Sequence, residues 1–293
     1  MNSLDISQLQ SQFPTLRFDV DSGLPRAHFE HDGAKAEVLL QGAHVAQFET
    51  ASGDHLLFQS RDPRFEAGKS FHNGVPVIFP WFGPKIGDPS APGHGFVRTV
   101  PWEIENVEED SLALKLESNE QTLAQWPHPF RLSYRVRLEA QKFQLQLQIT
   151  NTGAEAFEFE TALHTYFRVA DVRNVEISGL DGKTYLDKTR GFSRHTQSGL
   201  IRIEQEVDRV YLDSSGPIIL RDGARTLKIS DLGGIKSTVV WNPWQEKGRN
   251  FGDLCADEWQ QFVCIESGVV ADDAVSLDAG KSYEMSVQIE LEA

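Results

Sequence analysis

The sequence predicts an all-β protein built as one large sandwich of antiparallel strands, with few short helices. Apolar and polar residues alternate with a period of two over much of the chain, as in antiparallel strands that bury one face and leave the other in water. Helical patterns are too short to serve as crossover helices, which argues against a parallel sheet. No repeat and no Pro/Gly/Ser-rich linker divides the chain, so we expect a single domain over residues 1–293.

The alternation marks individual strands. It is clearest in four segments, whose apolar positions are Leu112, Leu114 and Leu116; Leu132, Tyr134, Val136 and Leu138; Phe143, Leu145, Leu147 and Ile149; and Tyr283, Met285, Val287, Ile289 and Leu291. A short turn separates the second segment from the third, so we expect these two to form a hairpin.

Two short helices and one long loop are expected between the strands. Residues 5–12 predict one helix, and residues 119–126 predict another, with Asn119 as its N-cap and Pro127 ending it. Residues 83–95 are rich in Gly and Pro yet lie inside the strand pattern, which predicts a long loop over one sheet face. Long ordered loops in compact domains are usually functional.

The composition of the chain disfavours some classes of binding partner. The chain has 28 Lys+Arg against 43 Asp+Glu, a net charge of −15, which disfavours nucleic acid and anionic membranes because phosphate binding depends on Lys and Arg. No window reaches the roughly 18 apolar residues of a membrane helix, and residues 1–7 lack the features of a secretory signal. Cys255 and Cys264 are too few for a disulfide framework. We expect a cytoplasmic monomer that binds a small molecule; a Cys255–Cys264 bridge in an oxidising compartment is the less favoured alternative.

His94 and Arg98 are the first candidate pair. Glycines flank His94, which allows the backbone to approach a ligand closely, and an even spacing places Arg98 on the same face if the segment is extended. Both side chains are suited to donating to sugar hydroxyls or to a phosphate. The alternative is a turn histidine beside a surface arginine.

His164 and Glu266 are candidates for acid–base chemistry. The unperturbed pKa of histidine lies near neutrality, which suits a general acid, although His164 also fits a core histidine with satisfied hydrogen bonds. Glu266 follows the apolar run of residues 262–265 and precedes Ser267 and Gly268, which places it at the end of a predicted buried strand. Glutamate is rarely buried unless it is paired, so Glu266 is either anchored by donors or tuned as a base.

Three further candidates for the site have weaker support. Trp241 follows a predicted strand and is either an aromatic platform for a sugar or a packed strand end. Asp208 is either an acceptor for a hydroxyl or half of a surface pair with Arg209. Trp81 lies in an apolar segment that either packs under the loop of residues 83–95 or forms the floor of a pocket. The histidine spacings do not suggest a metal site, and no motif indicates a cofactor, so we expect neither.

Taken together, these segments resemble the aldose 1-epimerase superfamily, and within it the glucose-6-phosphate 1-epimerases, or hexose-6-phosphate mutarotases. The motifs include Leu-His-Thr-Tyr-Phe at 163–167 and Val-Cys-Ile-Glu at 263–266. Further matching residues are 41–44, 74–84, 94–98, 101–102, 126–128, 189, 208–211 and 240–243. The resemblance implies a galactose mutarotase-like β-supersandwich.

The resemblance also implies roles for individual residues. It makes His164 the general acid and Glu266 the general base, which we expect on opposite sides of the sugar. It places His94, Arg98 and Asp208 at positions that hold the substrate. Aromatic surfaces often complete sugar sites, so we expect Trp81 and Trp241 to cover the apolar face of the ring.

One departure from the family pattern concerns the substrate. Family members usually carry an arginine that helps to bind the sugar or its phosphate where this chain has His72. Histidine lacks the forked geometry with which arginine grips phosphate, and Lys69 and Lys85 are the candidates to compensate.

The expected activity is interconversion of the α and β anomers of a hexose 6-phosphate, with glucose 6-phosphate favoured. Two alternatives stay open: a mutarotase of unphosphorylated aldoses, and a non-catalytic carbohydrate-binding protein on the same fold. A glycoside hydrolase is disfavoured, because that chemistry usually needs two carboxylates flanking one bond.

Overall fold

Antiparallel strands make up most of the regular structure in residues 6–223 and 225–292, the part of the chain that the computed structural model describes. In chain order the strands are β1 (Arg17–Asp21), β2 (Leu24–His31), β3 (Ala34–Leu39), β4 (His44–Glu49), β5 (Val77–Ile78), β6 (Glu103–Val107), β7 (Ser111–Glu117), β8 (Phe130–Glu139), β9 (Lys142–Asn151), β10 (Phe157–Phe159), β11 (Thr161–Leu163), β12 (Tyr166–Arg168), β13 (Glu176–Ser178), β14 (Thr184–Asp187), β15 (Ser193–Thr196), β16 (Val207–Tyr211), β17 (Ile218–Asp222), β18 (Arg225–Gly233), β19 (Ser237–Asn242), β20 (Phe262–Val269), β21 (Val275–Leu277) and β22 (Ser282–Glu292).

The helices are short. The α-helices in the described residues are α1 (Ile6–Gln12), α2 (Glu120–Gln125) and α3 (Trp244–Gly248), and 3₁₀ turns occur at Val97–Thr99, Val172–Asn174, Lys188–Arg190, Glu258–Gln261 and Ala271–Asp273. The Asn119 side chain caps α2 by accepting from the backbone N–H groups of Gln121 and Thr122, so the predicted cap is confirmed. Residue 5 of the other predicted helix lies outside the described residues. None of the helices in residues 6–223 and 225–292 has the length and apolar character needed to cross a bilayer.

The strands form three large sheets and one ribbon. The amino-terminal sheet has the order β1-β2-β3-β4, and β10 pairs with β21 in the ribbon. The back sheet has the order β13-β17-β18-β22-β9-β8-β7-β6. The site sheet has the order β15-β14-β16-β19-β20-β11-β5, with β12 also paired to β20. The prediction of an all-β antiparallel fold is confirmed.

The back sheet contains the hairpin that the alternation predicted. Leu132 lies opposite Ile149 and Leu138 opposite Phe143, and Tyr283 of β22 pairs with Ile149 on the other side. The apolar positions of β8 and β9 are buried, as is Asn151 at the end of β9, and the positions between them are at least partly exposed. The buried face packs into one core cluster with side chains of the amino-terminal and site sheets, such as Val38 and Ile265.

Strand β20 of the site sheet is buried on both faces. In β20, Val263 and Ile265 point into the main core, whereas Phe262 and Cys264 belong to a smaller cluster on the other side. Successive side chains of a strand point to opposite faces, so Glu266 shares the second face with Cys264. We call this second face of the site sheet the site face.

Residues 83–95 form a long loop without helix or strand, as predicted. A bridge between Phe79 and Gly95 closes its base. Gly95 has φ +69°, and a Cβ atom there would lie 1.8 Å from the carbonyl oxygen of Phe79, so only glycine fits. This close approach fixes the position of His94, the next residue back along the chain.

Candidate active site

Glu266 lies in the interior of β20, in contrast to the expectation that it ends the strand, since β20 continues to Val269. Its side chain is 1% exposed. The Oε2 atom is buried and has no hydrogen-bond partner within the described residues. A buried carboxyl group with an unused oxygen costs stability, which indicates a functional reason for its presence.

His164 lies at the break between β11 and β12, both of which pair with β20. Ala162 is opposite Gly268 and Tyr166 is opposite Cys264, so His164 lies across from the part of β20 that carries Glu266. The distance from His164 Nε2 to Glu266 Oε1 is 3.2 Å. Sheet register therefore brings an imidazole and a carboxyl group together from positions about 100 residues apart.

Burial shifts the two titrations in opposite directions. It lowers the pKa of His164 well below its usual value, and the neighbouring His94 and Arg98 lower it further. It raises the pKa of Glu266 well above its usual value, although Lys188 and Arg98 offset part of this effect. Both shifts favour the neutral forms, so the pair holds one proton between its two groups at any pH between the lowered pKa of His164 and the raised pKa of Glu266.

Asp208 and Trp241 occupy the site face beside this pair. Asp208 of β16 lies opposite Trp241 of β19, which lies opposite Cys264 of β20. The Trp241 ring centroid is 5.8 Å from that of His164. Burial raises the pKa of Asp208, and its ion pair with Lys188, at 3.2 Å from Nζ to Oδ1, offsets part of the rise. The structure thus brings Asp208 and Trp241 together with His164 and Glu266.

His94 and Arg98 do not share a strand face, because the segment between them is not extended. His94 has φ +64°, and Arg98 lies in the 3₁₀ turn Val97–Thr99. The His94 ring is nevertheless 5.7 Å from the His164 ring. Burial, with the charge of Arg98, lowers the pKa of His94 well below its usual value. The His94 Nδ1 accepts from the backbone N–H of Gly83 at 3.3 Å, which leaves Nε2 as a donor.

Arg98 retains hydrogen-bonding capacity. Its Nη2 donates to the carbonyl oxygen of Gly93 at 2.8 Å. Its Nε is buried and has no partner in the part of the chain that the structure describes.

His72 is anchored by a carboxylate. Its ring Nδ1 is 2.9 Å from Asp253 Oδ1, and its backbone N–H donates to Asp253 Oδ2 at 2.9 Å. Burial alone would raise the pKa of Asp253, but these hydrogen bonds outweigh it and lower the pKa. The ring packs 4.2 Å from Phe251 and 6.4 Å from Tyr166, whose ring stacks on His164 at 4.8 Å. His72 therefore borders the same group of rings.

Trp81 packs under the loop and away from the rings around His164. Its indole N–H donates to the carbonyl oxygen of Pro92 at 3.0 Å, and its ring lies 5.8 Å from that of Phe96 in the main core. Lys85 lies 4.9 Å over the same ring and donates to the Gln125 carbonyl oxygen. These contacts support the packing interpretation of Trp81 and leave Lys85 engaged outside the site. Lys69, the other candidate to compensate, is exposed.

The sequence analysis assigned no role to three residues of the site. Phe82, next to Trp81, has its ring 4.6 Å from that of His94. Lys188 pairs with Asp208, and Tyr166 stacks on His164. Tyr166 follows His164 by two residues and so shares its face, which was a usable signal, whereas Lys188 lies in a short turn without any pattern.

No group of three or more His, Cys, Asp or Glu side chains suited to a metal ion occurs among the described residues. The site as it stands offers an imidazole–carboxyl pair, a second carboxylate, a tryptophan face and the donors His94 and Arg98. Such a set can exchange protons with a small polyol and hold its hydroxyls.

Known proteins share the fold. A galactose mutarotase-like protein from Clostridium acetobutylicum has a crystal structure that matches with a TM-score of 0.75 at 14% identity, over 94% of this chain and 98% of that one. The predicted galactose mutarotase-like fold is therefore confirmed.

Sequence comparison gives the family. The profile of the aldose 1-epimerase family matches residues 25–290. The chain is 32% identical to the "Putative glucose-6-phosphate 1-epimerase" of Escherichia coli strain K12, over 83% of this chain and 82% of that protein. The crystal structure of a "putative mutarotase" from Salmonella typhimurium matches with a TM-score of 0.86 at 29% identity, over 95% of this chain and 94% of that one. The chain therefore belongs to the aldose 1-epimerase family and is an isomerase that interconverts sugar anomers.

Proposed function

We propose that the substrate is a hexose 6-phosphate, with glucose 6-phosphate favoured, and that His164 and Glu266 interconvert its anomers. The observation that carries the proposal is the 3.2 Å contact between the two buried groups. A pair that holds one proton can take one from a hydroxyl and deliver one to a neighbouring oxygen without changing its total charge.

In ring opening, Glu266 accepts the proton of the C1 hydroxyl while His164 protonates the ring oxygen O5. The C1–O5 bond breaks, C1 turns about the C1–C2 bond, and O5 adds to the other face of the aldehyde as the two transfers reverse. The two arrangements of the shared proton, carboxylate with imidazolium and carboxylic acid with imidazole, carry the same total charge. The hydroxyls of the bound sugar stabilise the charged arrangement from which ring opening starts.

The contact corrects the expectation that the two groups lie on opposite sides of the sugar. No ring fits between atoms 3.2 Å apart. The two oxygens that exchange protons are both bonded to C1, so a side-by-side pair reaches both from one side. Asp208 accepts from hydroxyls, His94 donates to them, and Trp241 covers the apolar face of the ring.

The preference for a phosphate rests on two supports. The Escherichia coli relative carries the name of a glucose-6-phosphate 1-epimerase. In addition, Arg98 has a buried Nε without a partner in the described residues, so its guanidinium has a donor left for an anion. His72, at the place of the usual arginine, favours the second candidate, a mutarotase of unphosphorylated aldoses.

The test is the rate at which pure α-anomers reach equilibrium, followed by polarimetry after subtraction of the uncatalysed rate. We expect faster equilibration of glucose 6-phosphate than of glucose or galactose. A higher kcat/KM for glucose would select the second candidate. Glu266→Gln and His164→Asn are expected to lose most of the activity while remaining folded, and either variant equilibrating anomers as fast as the parent contradicts the assigned roles.

We further propose that the protein works in the cytoplasm as a monomer. The two cysteines are free in the structure, and Cys264 is fully buried, which suits a compartment that keeps thiols reduced. Cell fractionation and light scattering on the purified protein test the two parts separately.

A further inference from the structure

Lys188 is held in a fixed place beside the proposed site. It begins the 3₁₀ turn Lys188–Arg190, and the preceding residue, Asp187, caps this turn by accepting from the backbone N–H of Thr189 at 3.0 Å and from its hydroxyl at 2.6 Å. The side chain of Lys188 is only 19% exposed. A lysine this far from solvent needs compensating contacts.

Two contacts supply them. The ammonium lies 3.2 Å from Asp208 Oδ1 and 5.0 Å from the centre of the Phe82 ring. A buried ion pair is weak evidence for stability, because desolvation of both charges offsets their attraction. The pair lies on the site face, next to Trp241 and one strand further from Glu266, which points to a functional role.

We propose that Lys188 is a positioning residue: it holds Asp208 oriented as a hydroxyl acceptor, and the Lys188–Asp208 pair sets the electrostatic field at Glu266. The inference rests on the proposed function, because it assumes that Asp208 binds the sugar and that Glu266 exchanges its proton. Without Lys188, Asp208 would lose its closest opposite charge and the contact that orients its side chain, so it would hold a hydroxyl of the sugar less well.

The charged groups around Glu266 and Asp208 determine how a substitution at Lys188 changes the pH profile. The titratable and charged groups that face Glu266 are His164, Tyr166, Cys264, Arg98, Asp208 and Lys188. Asp208 faces Lys188 together with Lys247, Glu206 and Cys264. Lys247 and Glu206 pair with each other and so nearly cancel. The pair that changes the field at Glu266 is therefore Lys188–Asp208, whose charges sum to zero.

Removing one partner at a time gives shifts of opposite sign. Lys188→Met leaves a negative charge near Glu266, so the alkaline limb of the kcat/KM profile, where the pair of His164 and Glu266 loses its last proton, moves to higher pH. Asp208→Asn leaves a positive charge, so the same limb moves to lower pH. The double variant restores the zero sum and returns the limb to its parental position.

The experiment measures anomerisation of glucose 6-phosphate and glucose by the full-length protein across pH. Lys188→Met is expected to raise KM by about 10- to 100-fold, as for loss of a hydrogen bond to a charged group. Lys188→Arg keeps the charge, so its KM and the position of its alkaline limb should match those of the parent. Arg190→Met is the matched control, because it removes an exposed charge from the same turn and should behave like the parent. Chemical unfolding confirms that each variant is folded.

Two results overturn the inference alone: an active parent with an unchanged Lys188→Met variant, or limbs that move in the same direction in Lys188→Met and Asp208→Asn. A parent that equilibrates neither sugar overturns the proposed function and the inference with it. Opposite shifts that cancel in the double variant support the inference, since a purely structural lysine would not produce them.

Discussion

The contact between His164 and Glu266 predicts that their contributions to the rate are not additive. General acid–base help is worth about 10²- to 10⁴-fold per group, or about 3 to 5 kcal/mol of activation free energy. If the groups acted independently, removing both would cost the product of the two losses. Because they lie 3.2 Å apart and share one proton, neither group contributes to the rate once the other has been removed.

A double-mutant cycle of Glu266→Gln, His164→Asn and the double variant measures this non-additivity. We expect each single variant to lose about 10²- to 10⁴-fold in kcat/KM and the double variant to lose no more than the worse single. The coupling free energy then equals about one single loss, roughly 3 to 5 kcal/mol. Glutamine has the shape of glutamate, so the fold should persist, and urea unfolding checks this.

The assay is polarimetry of freshly dissolved α-glucose 6-phosphate at several pH values. The pair gains a second proton only at the lowered pKa of His164 and loses its last proton only at the raised pKa of Glu266. The parent profile should therefore be flat between these two pKa values and fall on both sides. A double variant slower than both singles by a further factor of about 100 would refute the shared proton.

Three further predictions concern stability and substrate. Burial lowers the pKa of His44 from 6.5 to about 4, so the unfolded chain takes up this proton first as the pH falls. Between pH 6.5 and 4 the parent should lose about 3 kcal/mol more unfolding free energy than His44→Gln, and equal pH slopes in urea titrations would contradict this. Trp241→Ala should raise KM, whereas Trp81→Ala should mainly lower the free energy of unfolding, by about 3 to 5 kcal/mol. A raised KM in a stable Trp81→Ala variant would instead indicate that Trp81 contacts the substrate. His72→Arg should raise kcat/KM for glucose 6-phosphate relative to glucose, because a guanidinium binds phosphate with two donors; an unchanged ratio of the two rates argues against phosphate near this position.

Strand content was predictable because its signal is local. Alternation between Leu132 and Ile149 decides which face of a strand is buried, and the register followed from the short turn between the two segments. The N-cap at Asn119 was equally local, since the asparagine and the threonine three residues on suffice to form it.

Features that depend on distant contacts were not predictable. The sequence left open whether the interval from His94 to Arg98 is extended, and the close approach of Gly95 to Phe79 turns the chain there. Glu266 was expected at a strand end because Ser267 and Gly268 follow it, yet pairing with Leu163 and Ala162 of β11 continues the strand. In both cases the deciding partner lies at least 16 residues away in the chain, beyond the reach of a local pattern.

The fold separates the groups that exchange protons from most of those that select the substrate. His164 and Glu266 are fixed relative to each other by pairing across β20, so their spacing changes only if the sheet register changes. His72, His94 and Arg98 instead lie in loops and a short turn, where a substitution alters the contacts of one side chain without moving the sheet. A family on this fold can therefore keep its chemistry while its substrate changes.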